Sequence, residues 1–189
     1  YINRGGRLRH FSTWTKANAV ESANRIHEAA LATGATEVRV DGTGLGAPVV
    51  DMLAAMAGHH YTVISVVGGA ASPDNTRWLN ARAFGYDNLR EKMMLNQLDI
   101  DIDDKQLLDE MMVIKYKFSP KGAIQIESKD DMRGRGLKSP DRLDAAMYAT
   151  LNLQYLTEGR YAGMQPGDKV YQHPESLDAQ FPFYSQWSW

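Results

Sequence analysis

The chain has 189 residues, 43% hydrophobic and 23% charged, with a formal net charge of −2. That is enough for one domain, or one domain with a tail, and the balance is ordinary for a globular protein rather than for a basic nucleic-acid binder. Zero cysteines exclude disulfides and thiolate metal sites, and no apolar run is long enough for a membrane helix.

The order of elements follows from turn signals and periodicity. Tyr1–Arg4 and Leu8–Trp14, joined by Arg4-Gly5-Gly6-Arg7, read as a β-hairpin. Asn18 can cap a helix through Leu31, with Ala19, Ala23, Ile26 and Ala30 on one stripe and Gly34 as its stop. Glu37–Asp41 is a short strand, Gly42–Gly46 a tight turn, and Pro48–Ala57 a helix with proline in its first turn. Tyr61–Val67 is a continuous apolar run suited to a buried parallel strand. A long helix is expected from about Leu79 to Leu98 and a short one at Asp104–Met112, with Asp103 as cap. Val113–Phe118 and Ala123–Glu127 flank Ser119-Pro120-Lys121-Gly122 as a second hairpin. Asp130–Arg135 is a helical turn, and Pro140–Leu156 the last helix, with proline at its start. The sequence therefore divides into a domain over 1–156 and an irregular, aromatic-containing tail over 157–189. Antiparallel strands followed by alternating strands and helices predict an α/β domain: a mixed sheet covered by helices.

Two acidic motifs stand about a hundred residues apart. Asp41 ends a strand and is followed by Gly42, Gly44 and Gly46, which let backbone, phosphate or metal approach closely. Asp141 and Asp144 open a helix three residues apart, on one face. Ligands of open α/β sheets bind at the carboxyl ends of the strands, and acids gathered there are costly without a cation. The pattern suggests a divalent-metal site. The bland alternatives are a plain tight turn for Asp41 and helix capping for Asp141 and Asp144. Basic residues Lys129, Arg133, Arg135, Lys138 and Arg142 flank the second motif, as suits a polyanionic substrate.

Other clusters carry less. Asp51 reads as a surface or capping acid, and His59-His60 as structural. Asp99, Asp101, Asp103 and Asp104 lack the central glycine and terminal glutamate of an EF-hand, so they read as a solvated turn and cap. Neither a phosphate-binding loop of the G-x-x-x-x-G-K-[ST] kind nor a G-x-S-x-G nucleophile is present.

Three stretches carry a resemblance. They are Val40 through Asp51, Leu79-Asn80-Ala81-Arg82-Ala83, and Ser128 through Ala145, the last being the strongest. Over residues 1–156 the chain resembles the C-terminal nuclease domain of the large terminase subunit of tailed bacteriophages and prophages. The resemblance implies a ribonuclease-H-like fold and metal-dependent cutting of concatemeric double-stranded DNA during genome packaging, in the host bacterial cytoplasm. It implies two Mg2+ or Mn2+ ions held by three acids. Asp41 matches the family's second acid and Asp144 its third, with Asp141 as helper. The first acid, on a strand that precedes the family's hairpin, has no match here, so the sheet is expected to lack its first strand. Cleavage by this polypeptide itself would then be disabled. Lys129, Arg133, Arg135, Lys138 and Arg142 become contacts to DNA phosphates, with the hairpin tip at Lys121-Gly122 as a further one. The implied partners are duplex DNA, an N-terminal ATPase domain, the small terminase subunit and the portal, on which Trp187 and Trp189 could dock. Two other readings stay open: a resolvase-like nuclease on branched DNA, and a non-catalytic docking module whose acids are structural.

Overall fold

The computed structural model describes residues 1–152, so the expected tail at 157–189 lies outside the described residues. Strands β1 (Ile2–Arg4) and β2 (Arg7–Arg9) form the first hairpin, with Ile2 opposite Arg9. Its second strand stops five residues short of the expected Trp14. Helix α1 (Ala19–Thr33) begins with a reciprocal capping box between Asn18 and Glu21 and ends at Gly34. Then come β3 (Glu37–Asp41), α2 (Gly46–Ala57) and β4 (Thr62–Val66), a parallel β-α-β unit that pairs Asp41 with Val66. Ala23 of α1 and Val49 and Leu53 of α2 pack over Val38, Val40 and Val63 of the two strands. The apolar alternation of β3 thus points at a helix pair, which fixes the strand's register and the position of its terminal Asp41.

Helix α3 (Ala81–Met94) is shorter than the expected 79–98; the Asn80 side chain caps it by accepting from Ala83 N. Beyond it lies β5 (Asp99–Ile100), a parallel partner of β2, where a solvated turn was expected. Arg9 holds β5 through the Asp99 carbonyl and carboxylate, each at 2.8 Å. Asp104, not Asp103, caps α4 (Lys105–Val113) by accepting from Leu107 N. Strands β6 (Tyr116–Phe118) and β7 (Ile124–Ile126) make the second hairpin, followed by α5 (Lys129–Gly134), with a Ser128–Asp131 capping box, and α6 (Asp141–Thr150). Helix α6 stops at Thr150, where Leu151 turns extended, instead of running to Leu156.

Helix α6 is the pivot of the domain. Leu143, Ala146 and Met147 are buried along it. A Cβ added to Gly85 of α3 would stand 2.4 Å from Met147 Sδ, so the two helices approach closely there and a larger residue would have to push the Met147 side chain aside. The expected mixed sheet is present as three small ones among the described residues: β1-β2-β5, β3-β4 and β6-β7. Among the described residues, β1 and β3 each pair on one side only. Residues of both line one cleft of about 680 Å³, together with Asp144 and Tyr148 of α6. Directly paired strands lie ~4.8 Å apart, leaving no such space.

Candidate functional site

Asp41 stands at the carboxyl end of β3, where Thr43 N and Thr43 Oγ1 donate to its Oδ1 at 3.0 and 2.7 Å. The turn closes tightly beneath it. A Cβ on Gly46 would come within 1.7 Å of the Asp41 carbonyl oxygen, so α2 can start there only with glycine. Asp144 reaches the same cleft from the first turn of α6. That turn has no side-chain cap of its own; Glu110 of α4 accepts from Leu143 N at 2.8 Å.

Asp144 is buried, with its side chain 11% exposed, and heavily partnered. Its Oδ1 accepts from the Tyr86 hydroxyl at 2.7 Å and Arg82 Nε at 3.3 Å. Its Oδ2 faces Lys129 Nζ at 3.1 Å. Lys129 also stands 3.8 Å from Asp141, whose side chain is 79% exposed at the cleft rim. Tyr148, one helical turn after Asp144, points its hydroxyl at Asp41 Oδ2 at 3.4 Å. The sequence order thus brings Asp41, Asp141 and Asp144 to one cleft, with a phenol between the two inner acids. Burial, then the Asp41 and Asp144 charges, pushes the Tyr148 hydroxyl well above its ordinary range. Burial and the Asp144 charge do the same to Tyr86. Both therefore stay protonated donors at neutral pH.

The basic residues separate. Lys129 faces the acids, as described. Arg133 is exposed and pairs with Asp130 of its own helix, and Lys138 is exposed. Arg135 binds inward, to buried Glu127 at 2.5 Å and to the Val113 carbonyl at 2.8 Å, tying α5 to the base of the hairpin. Arg142 is engaged inside the protein, 2.5 Å from Asp104, a carboxylate that also accepts from the Tyr1 hydroxyl. Asp51, His59 and His60 are exposed. Arg82, Tyr86 and Tyr148 received no role from the sequence. Spacing offered a hint: Arg82 with Tyr86, and Asp144 with Tyr148, lie four residues apart on one helix face. Which faces meet is decided across about sixty residues of chain.

Among the described residues, no three acidic or histidine side chains converge as a ready cage for a metal. The donor chemistry nevertheless suits a hard divalent cation, since Asp41, Asp141 and Asp144 supply only carboxylate oxygens. The Lys129 ammonium, held by Asp144 and Asp141, already serves as a cation there.

The α/β core is ribonuclease-H-like in fold. Its fold is, more particularly, that of phage terminase nuclease domains. The nuclease domain of the large terminase subunit gp2 of bacterial virus Sf6 is 20% identical, with a TM-score of 0.70 over 79% of this chain and 80% of that one. A K428A mutant of that domain with manganese matches equally, at 20% identity, a TM-score of 0.70 and 79% and 81% of the two chains. The large terminase nuclease from thermophilic phage G20c with bound cobalt is 21% identical, with a TM-score of 0.50 over 70% of this chain and 62% of that one. No protein-family model and no curated protein matches the sequence. No helix among the described residues is long and apolar enough to cross a membrane.

Proposed function

We propose that this chain is the nuclease region of a phage or prophage DNA-packaging terminase and that its acids hold divalent metal for phosphodiester hydrolysis. The observation that carries this reading is the convergence of Asp41 and Asp144, from opposite parts of the chain, on one cleft of a terminase-nuclease fold. Asp41 and Asp144 would hold Mg2+ or Mn2+, with Asp141 at the rim. Two such ions would supply activation of water and stabilisation of the leaving 3′ oxygen. The chain's own residues do the rest. Tyr148 and Tyr86 orient the carboxylates, and Lys129 balances their charge until DNA arrives. Arg133 and Lys138, exposed on the surface, would meet phosphates, and such contacts are indifferent to sequence. Among the described residues, the unpaired edges of β1 and β3 leave room for one more strand beside Asp41. The partners in this reading are duplex DNA, an ATPase domain, the small subunit and the portal, in the host cytoplasm.

The test is plasmid nicking with Mn2+ by this chain and by a longer one that adds an acid-bearing strand. Nicking by the longer chain that disappears in Asp41→Asn and Asp144→Asn supports the reading. If Asp144→Asn cuts at the parental rate, the site is wrong. A chain that neither cuts nor binds metal fits a docking module. Preference for four-way junctions over linear duplex would indicate a resolvase-like enzyme.

A further inference from the structure

The carboxylate of Asp144 is held unsymmetrically. Both protein donors on Oδ1, the Tyr86 hydroxyl at 2.7 Å and Arg82 Nε at 3.3 Å, come from α3. Oδ2 is turned to the exposed ammonium of Lys129. The three nitrogens of Arg82 serve three partners: Nε meets Asp144, Nη1 donates to the Glu127 carbonyl at 2.9 Å, and Nη2 to the Tyr86 hydroxyl at 3.5 Å. Arg82 stacks on the Tyr86 ring as well, with the guanidinium carbon 4.9 Å from its centroid. Its side chain is only 16% exposed. A planar fork held at every end, on a helix locked to α6 at Gly85, leaves the Asp144 carboxylate little freedom to turn.

We propose that Arg82 is a positioning residue which, with Tyr86, takes up Oδ1 of Asp144 and leaves Oδ2 as the single oxygen offered to a cation in the cleft. This rests on the reading of Asp144 as a metal ligand. Its consequence is selectivity. Mg2+ takes single carboxylate oxygens and retains its waters, whereas the larger Ca2+ gains from a carboxylate that binds through both oxygens. A carboxylate barred from turning therefore discriminates against Ca2+. Lysine at position 82 would keep the charge but not the fork.

Titration calorimetry with Mg2+ and with Ca2+ tests this on the full chain, on Tyr86→Phe and on Arg82→Lys. Tyr86→Phe removes one oxygen and leaves the packing of the ring. The ratio of Ca2+ to Mg2+ affinity is expected to rise about tenfold in each variant, the scale on which partners of metal ligands act. Equal weakening for both ions, with the ratio unchanged, is the signature of a merely structural role and overturns the proposal. If neither the parent chain nor a longer chain with the added acid-bearing strand binds either ion, the metal reading of the site fails, and metal-free crystal structures decide the positioning claim. An Asp144 carboxylate rotated away from Tyr86 in Arg82→Lys supports it, and an unmoved one overturns it.

Discussion

Arg39 and Tyr148 are joined end to end: Nη1 of Arg39, on β3, donates to the Tyr148 carbonyl at 2.8 Å and to the Leu151 carbonyl at 2.6 Å. Lys92 of α3 reaches the Thr150 carbonyl beside them. Two cations thus occupy the carbonyl end of α6, where the helix dipole favours positive charge. Arg39 lies two residues before Asp41, and Tyr148 one turn after Asp144, so this cap sets how far apart the two acids stand. Arg39→Ala should cost about 2 kcal/mol of stability in urea unfolding, because it strands carbonyls that a charged donor now serves. It should also weaken metal binding. Unchanged stability would show that the cap is not what holds α6 to β3.

Gly46→Ala tests the turn beneath Asp41. The added Cβ would overlap the Asp41 carbonyl oxygen at 1.7 Å, so α2 must retreat. A loss of about 1–3 kcal/mol is expected, in the range of overpacked sites. Activity should fall further than stability explains, since the displaced group is the strand end bearing the acid. A fully stable, fully active variant would count against the close approach.

Asp104 gives a pH dependence with a definite sign. Burial pushes its carboxyl up, but the Tyr1 hydroxyl, the Leu107 amide and the Arg142 guanidinium outweigh burial, and the net shift is downward. The native state therefore binds this proton less readily than the unfolded chain does. The stabilisation is complete above the unfolded pKa of about 4 and is lost as pH falls through the lower native value. Asp104→Asn should cost about 3 kcal/mol at pH 7, as when one partner of a buried ion pair is removed. The gap to the parent should narrow in denaturant titrations at pH 3 and below. A gap that stays constant with pH would mean that charge is not the cause.

The basic residues should divide in solution as they do in space. Arg133→Ala and Lys138→Ala should each reduce the salt dependence of duplex binding by about one unit of slope, with little effect on stability. Arg142→Gln and Arg135→Gln should instead lower the melting temperature, because their guanidinium groups hold Asp104 and Glu127. Equal salt slopes for Arg133→Ala and the parent would remove Arg133 from the phosphate contacts.

What the sequence determined by itself is what short-range geometry encodes. The Asn18 cap, the strand ending in Asp41, the acids opening the helix at Asp141 and both hairpins depend on residues two to four apart, and they were legible for that reason. Asp41, Asp141 and Asp144 could be singled out because acids at a strand tip and on one helix turn are local patterns. Tertiary structure alone decided the pairings between distant segments. Two residues, Asp99 and Ile100, are too few to show a strand period, and only β2 makes them one. Arg142 looked like a DNA contact because its neighbours are basic and acidic; its partner Asp104 is 38 residues away. Arg82 and Tyr86 meet Asp144 across about sixty residues, where α3 and α6 touch at Gly85 and Met147. No local period records which helix faces meet, because that is settled by which buried surfaces fit together once the chain has closed.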